Sequence, residues 1–205
     1  ISRGDWSSDV CSSDLYYFYI DGEMATGWEE IDGDWYFFDE KGVMQTGWLK
    51  ENGKWYYLKQ DGSMETGWIK LGNRWYYLDA VNGDAKLGWY KVGNKWYYFN
   101  KDNSMKTGWI KWSNKWYYLD AKNGDMKNGW VLTGGKWYFL DGSGAMKTGW
   151  IKTGGKWYFL EGSGAMKTGW ILSGGKWYFL YSNGSMAANT VIHGYKVGAD
   201  GAWIK

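Results

Sequence analysis

The chain has 205 residues, and aromatic side chains make up 21% of them. Its formal charge is +2, and beyond the first few residues it carries a single arginine, Arg74. That excludes the concentrated basic patch that nucleic acid requires, and it speaks against an aromatic groove for single strands, which would be arginine-rich. No apolar run approaches the length of a membrane span, and one cysteine, Cys11, cannot build a disulfide framework.

In chain order, residues 1–15 come first and lie outside the pattern that follows. The stretch DVCSSDL, Asp9–Leu15, reverse-translates into a common sequencing-adapter oligonucleotide. Residues 1–15 are therefore read as a non-native leader, with no signal-peptide pattern in them. The periodic sequence starts in phase at Tyr16, and Leu15 stands where a tryptophan would be expected, so the first repeat is expected to be cut off midway.

From residue 16 to 186 the chain repeats itself. Gly-Trp recurs with its tryptophan at 28, 48, 68, 89, 109, 130, 150 and 170, a spacing of 20 or 21. A second tryptophan follows seven residues later each time, at 35, 55, 75, 96, 116, 137, 157 and 177. A fixed period near 20 marks an array in which neighbours bury one another's faces. Between the paired tryptophans lie Asp32-Gly33, Asn52-Gly53, Gly72-Asn73, Gly93-Asn94, Ser113-Asn114 and three Gly-Gly pairs. These tolerate the positive φ of two-residue hairpin turns, and the flanking residues favour strands. Each repeat thus reads as a β-hairpin.

A two-residue turn sets the register. Trp48 falls opposite Tyr57, Leu49 opposite Tyr56 and Lys50 opposite Trp55. One face then carries Trp48, Lys50, Trp55 and Tyr57, and the other Leu49, Tyr56 and Leu58. The second face is expected to be core. The first holds two tryptophans yet has lysine between them in five of eight repeats, so it is expected to be partly exposed. After each hairpin a turn supplies Met at 24, 44, 64, 105, 126, 146, 166 and 186, with Ala85 in that place once. Methionine suits contact with an aromatic ring.

Paired exposed tryptophans point to an aromatic cage. The π faces of Trp and Tyr attract cations, quaternary ammonium groups above all, and no carboxylate recurs beside the pairs. The stretch TGWIKTGGKWYFLDGSGAMKTGW resembles the choline-binding repeat of bacterial surface proteins and cell-wall lytic enzymes. The resemblance covers Tyr16–Lys205 and implies an all-β fold, a left-handed β-solenoid of tandem β-hairpins. It implies a non-catalytic cell-wall-binding module that holds choline groups of teichoic acids between successive hairpins, anchoring a protein to the bacterial surface. Each cage would take both tryptophans of one repeat and a tyrosine of the next. The triads are then Trp28, Trp35 and Tyr56; Trp48, Trp55 and Tyr76; Trp68, Trp75 and Tyr97; Trp89, Trp96 and Tyr117; Trp109, Trp116 and Tyr138; Trp130, Trp137 and Tyr158; and Trp150, Trp157 and Tyr178. Met126, Met146 and Met166 are expected nearby. Choosing the first tyrosine of each Trp-Tyr-Tyr/Phe run conflicts with the register, which puts it on the core face.

Residues 187–205 depart from the repeat. Asn189-Thr190 fills the Gly-Trp slot, and GYKVGADGAWIK resembles the family's closing hairpin. The pair Trp170/Trp177 would have its third wall from Tyr195 or Trp203, or lack one, and is expected to matter little for choline. The pair Trp68/Trp75, followed by Ala85, is expected to be a weaker site. The resemblance also implies extracellular, wall-associated placement, choline or phosphocholine as partner, a homodimer through terminal repeats, and no cofactor. The lone His193 sits in the tail, where a solvated loop residue is the expectation. With it there is no metal-ligand set and no nucleophile–base pair, so the chain reads as non-catalytic, with a catalytic domain expected upstream. A rival reading is carbohydrate binding, as in the glucan-binding repeats of glucosyltransferases or the repeats of clostridial toxins. Sugars prefer flat aromatic platforms bordered by hydrogen-bonding side chains, and few recur here.

Overall fold

The computed structural model describes residues 4–8 and 14–204; Cys11 lies outside them. The described residues contain twenty strands and no helix. They run as hairpins: β1 (Asp5–Ser8) with β2 (Leu15–Phe18), β3 (Gly27–Ile31) with β4 (Asp34–Phe38), and β5 (Gly47–Glu51) with β6 (Lys54–Leu58). Next come β7 (Gly67–Leu71) with β8 (Arg74–Leu78), β9 (Gly88–Val92) with β10 (Lys95–Phe99), and β11 (Gly108–Trp112) with β12 (Lys115–Leu119). The rest are β13 (Gly129–Thr133) with β14 (Lys136–Leu140), β15 (Gly149–Thr153) with β16 (Lys156–Leu160), β17 (Gly169–Ser173) with β18 (Lys176–Leu180), and β19 (Thr190–Ile192) with β20 (Tyr195–Val197). This is the expected all-β fold of tandem hairpins.

The turns explain the hairpins. Both central residues have positive φ at Asp32-Gly33 (53° and 92°), Ser113-Asn114 (46° and 62°) and Gly154-Gly155 (55° and 76°). That is the type I′ geometry whose twist matches the strands it joins. His193 is the first residue of the last such turn (φ 49°), and its ring lies 5.9 Å from Phe179. The register is the expected one: Trp48 opposite Tyr57, Leu49 opposite Tyr56 and Lys50 opposite Trp55.

The chain forms two compact units, one running to Val92 and including Tyr98–Lys106, the other Gly93–Tyr97 and Thr107 onward. Within each, successive hairpins are clipped together by one backbone bond per repeat. The Met64 amide donates to the Trp35 carbonyl at 2.7 Å in the first unit, and the Met146 amide to the Trp116 carbonyl at 2.8 Å in the second. The same methionine bridges back to the end of its own hairpin, as Leu140 does with Met146. The hairpin-ending residues Phe38, Leu58, Leu78, Phe99, Leu119, Leu140, Leu160 and Leu180 are fully buried, which bears out the expected core face.

The start of the chain departs from the expectation of a repeat cut off midway. Trp6 pairs with Tyr17, as Trp48 does with Tyr57, and its ring lies 5.2 Å from Tyr36. Trp6 thus fills the Gly-Trp slot of the first hairpin, with Leu15 in the second tryptophan's place.

Candidate functional site: aromatic cages between hairpins

The second tryptophan of the hairpins stays exposed, from Trp55 at 38% to Trp177 at 43%. Such large apolar surfaces, repeated along one face, mark a place for a partner. The cage of Trp109 and Trp116 shows how the walls are set. Those rings stand 6.4 Å apart at 87°. Tyr138, from the following hairpin, lies 4.9 Å from Trp109. Met146 and Ser163 complete the lining of a cavity of about 230 Å³ that contains no charged side chain. Each edge-to-face ring pair adds about 0.5–1.5 kcal/mol beyond its buried area, so the walls hold one another in place without a ligand.

The conflict over the tyrosine resolves here. Tyr138 does lie on the face opposite Trp130 and Trp137, as the register demands. That face packs on the tryptophan face of the preceding hairpin. Core face and third wall are therefore one surface.

In the second unit the same geometry recurs. Trp130 and Trp137 lie 6.4 Å apart, with Tyr158 4.9 Å from Trp130 and the Met166 amide on the Trp137 carbonyl. Trp150 and Trp157 lie 6.3 Å apart, with Tyr178 4.9 Å from Trp150, and Met186 and Asp200 also line that cavity. In the first unit, Tyr56 lies 4.9 Å from Trp28, and the Trp35 carbonyl accepts from Met64. Trp48 and Trp55 stand 6.2 Å apart, with Tyr76 5.0 Å from Trp48. The two remaining triads have members in both units. In the first unit, Trp68 and Trp75 lie 6.3 Å apart and the Trp75 carbonyl accepts from Met105. Trp89 packs 5.4 Å from Tyr98. In the second unit, which holds Tyr97 and Tyr117, the Trp96 carbonyl accepts from Met126.

One expectation about neighbours needs correction. Ala85 does not belong with Trp68/Trp75. Its amide donates to the Trp55 carbonyl, so it takes the methionine place beside Trp48/Trp55. The methionine of a cage comes from the turn after its tyrosine, not from the turn after its tryptophans. For the pair Trp170/Trp177, both of the residues expected as alternatives for the third wall, Tyr195 and Trp203, are present. Tyr195 lies 5.8 Å from Trp170 and 5.8 Å from Trp203, and the Trp203 amide donates to the Trp177 carbonyl. These four rings line a cavity of about 380 Å³. The sequence did contain a signal for Trp203. The tail's Ala202-Trp203 stands in phase with Ala145-Met146, six residues after a hairpin-ending Val197.

Charge is unevenly distributed. The lysines between the tryptophans lie over ring faces, Lys50 at 5.8 Å from the Trp55 centroid and Lys152 at 5.9 Å from that of Trp157. The cavity of Trp48, Trp55 and Tyr76 is lined in addition by Lys101, Asp102 and Asn103. Asp102 is held below the ordinary aspartate range, first by the Ser104 hydroxyl and backbone, with a smaller contribution from Arg74, which donates to it at 2.8 Å. Elsewhere acids serve the turns: Lys86 lies 2.7 Å from Asp79 and 3.1 Å from Asp84, against the Tyr90 ring.

Comparison with known proteins agrees with this geometry. The choline-binding repeat family matches residues 25–61, 52–87, 86–128 and 127–168, and a second form of the choline-binding repeat matches 167–203. No curated protein is significantly similar to the chain. Among solved structures, CbpJ of Streptococcus pneumoniae is 35% identical, covering 98% of this chain and 94% of that one, with a TM-score of 0.74. Choline binding protein F of Streptococcus pneumoniae is 34% identical over 100% of both chains, with a TM-score of 0.72. The choline-binding domain of CbpL from Streptococcus pneumoniae is 32% identical over 88% of this chain and 98% of that one, with a TM-score of 0.65. With tandem hairpins, recurring aromatic cages and repeats matched along nearly its whole length, the chain belongs to the choline-binding repeat family, whose modules bind choline and do not catalyse.

Proposed function

We propose that the chain anchors a protein to the bacterial surface by holding choline groups of teichoic or lipoteichoic acids in the cages between its hairpins. The observation that carries this is the repeated perpendicular tryptophan pair, 6.2–6.4 Å apart, closed by a tyrosine of the next hairpin. A trimethylammonium group has no N–H to satisfy, so a box of π faces suits it better than a carboxylate would. Perpendicular rings do not form the flat platform a sugar prefers, and the glycan reading is not favoured. Each cage contributes about 1–2 kcal/mol of cation–π attraction when partly desolvated. Linked cages on a multivalent polymer turn later contacts into intramolecular ones, which raises avidity far above one site's affinity. On this reading the chain's own contribution is binding without catalysis, its place is the outside of the cell wall, and chains pair through terminal repeats. The test is retention on a quaternary-amine resin with elution by free choline. Retention on dextran that choline does not reverse would overturn the reading.

A further inference from the structure

One cage differs from the others in a way that a bare cation does not explain. Beside Trp48, Trp55 and Tyr76 the methionine wall is missing, since Ala85 stands there. Asn103 occupies the vacated room, and its amide donates to the carbonyls of Ala85 at 3.1 Å and Lys86 at 3.0 Å. The same turn brings Lys101 and Asp102 to the cavity lining. Asp102 is engaged by Arg74 at 2.8 Å in a solvent-exposed ion pair, whereas Lys101 forms no ion pair among the described residues. Lys50 near Trp55 does not set this cage apart, since Lys111 stands opposite Trp116 in the same register place. The Trp109/Trp116 cage has Met146 and Ser163 at the corresponding places and no charge in its lining.

A lysine lining a cage for cations repels its ligand unless the ligand also brings an anion. In a choline phosphate ester the phosphate follows the trimethylammonium by two carbons and an oxygen, close enough for a side chain on the cavity rim to reach while the ammonium sits among the rings. We propose that the Trp48–Trp55–Tyr76 cage is selective for polymer-borne phosphocholine read as a zwitterion, its rings holding the trimethylammonium and Lys101 the phosphate. This rests on the quaternary-ammonium reading of the cages. A lysine–phosphate contact in solvent resembles an exposed ion pair.

The experiment compares choline and phosphocholine by site-resolved NMR of the Trp55 and Trp116 ring signals, in the native chain and in Lys101→Gln. Native protein is expected to prefer phosphocholine at Trp55 over choline, and to show no such preference at Trp116. In Lys101→Gln the preference at Trp55 should fall roughly three- to five-fold, with choline binding slightly tighter as the like charge leaves. Raising salt should lower phosphocholine affinity at Trp55 alone. An unchanged preference in Lys101→Gln overturns the proposal while leaving choline binding intact. If neither ligand moves either ring, the underlying cage reading fails instead. Phosphatidylcholine vesicles separate the two carriers of this headgroup. No co-sedimentation is expected, because the cage is assigned to a polymer-borne headgroup. Co-sedimentation lost in Lys101→Gln would overturn assignment to a polymer.

Discussion

Ala85 and Asn103 are expected to be a coupled pair, and the coupling can be sized. In other repeats a glycine of positive φ lies against the methionine of the preceding turn. A Cβ added at Gly144 (φ 82°) would stand 2.5 Å from Met126 Sδ and 2.7 Å from its Cε. Methionine and a side chain at the glycine place therefore exclude each other. Where Asn103 replaces the glycine (φ 61°), Ala85 replaces the methionine. Ala85→Met alone pushes three heavy atoms into the space of the Asn103 side chain, an overpacking that costs about 1–3 kcal/mol. Asn103→Gly alone loses two hydrogen bonds to backbone carbonyls, about 1 kcal/mol each, offset by about 1 kcal/mol from relief of the left-handed backbone. The double variant restores the pairing found elsewhere and should be close to neutral. The coupling is then about 3 kcal/mol. Urea unfolding followed by circular dichroism measures it, given an unchanged slope across the four proteins. Additivity of the two changes within about 0.5 kcal/mol would refute the argument.

Gly144→Ala should destabilise by about 2–4 kcal/mol in thermal or urea unfolding, through left-handed strain and the Met126 contact; Gly142→Ala, with nothing within 4 Å and no positive φ, should be nearly silent. Trp130→Ala should remove one choline site in calorimetric stoichiometry, and so should Trp203→Ala, which opens the four-ring cage at Trp170; full stoichiometry in Trp203→Ala would show that this cavity is not a site. Asp120 is held down to about 2, chiefly by the Asn123 amide and the Lys127 ammonium, and Asp79 is held well below its ordinary value by Lys86 and turn amides. A depressed carboxyl stabilises the fold above its unfolded pKa and loses that contribution as pH falls through the folded one. Stability should therefore be flat between pH about 5 and about 9 and fall between about 4 and 2. Asp120→Asn should flatten part of that fall in acid titrations of the melting temperature, and no change in slope would count against it.

The hairpins were legible because they are local. Turn dipeptides that accept positive φ, such as Asp32-Gly33 and Gly154-Gly155, set the two-residue loops, and strand alternation then assigns Trp48, Lys50, Trp55 and Tyr57 to one face with no tertiary information. The paired tryptophans, and with them the cages' first two walls, follow from that alternation. Which surfaces meet is a different matter, because a period repeats the same residues without stating how far one unit is displaced on the next. Only stacking shows that Tyr138 serves at once as core and as wall for Trp109, or that Ala85 faces Trp55 and not Trp75. The sequence offered Tyr195 or Trp203 as the wall for Trp170/Trp177, and only the stack, with the Trp203 amide clipped to the Trp177 carbonyl, brings both there. Pairing within a hairpin is decided by residues a few positions apart. Contact between hairpins is decided by which buried faces fit, and that fit exists only in the assembled stack.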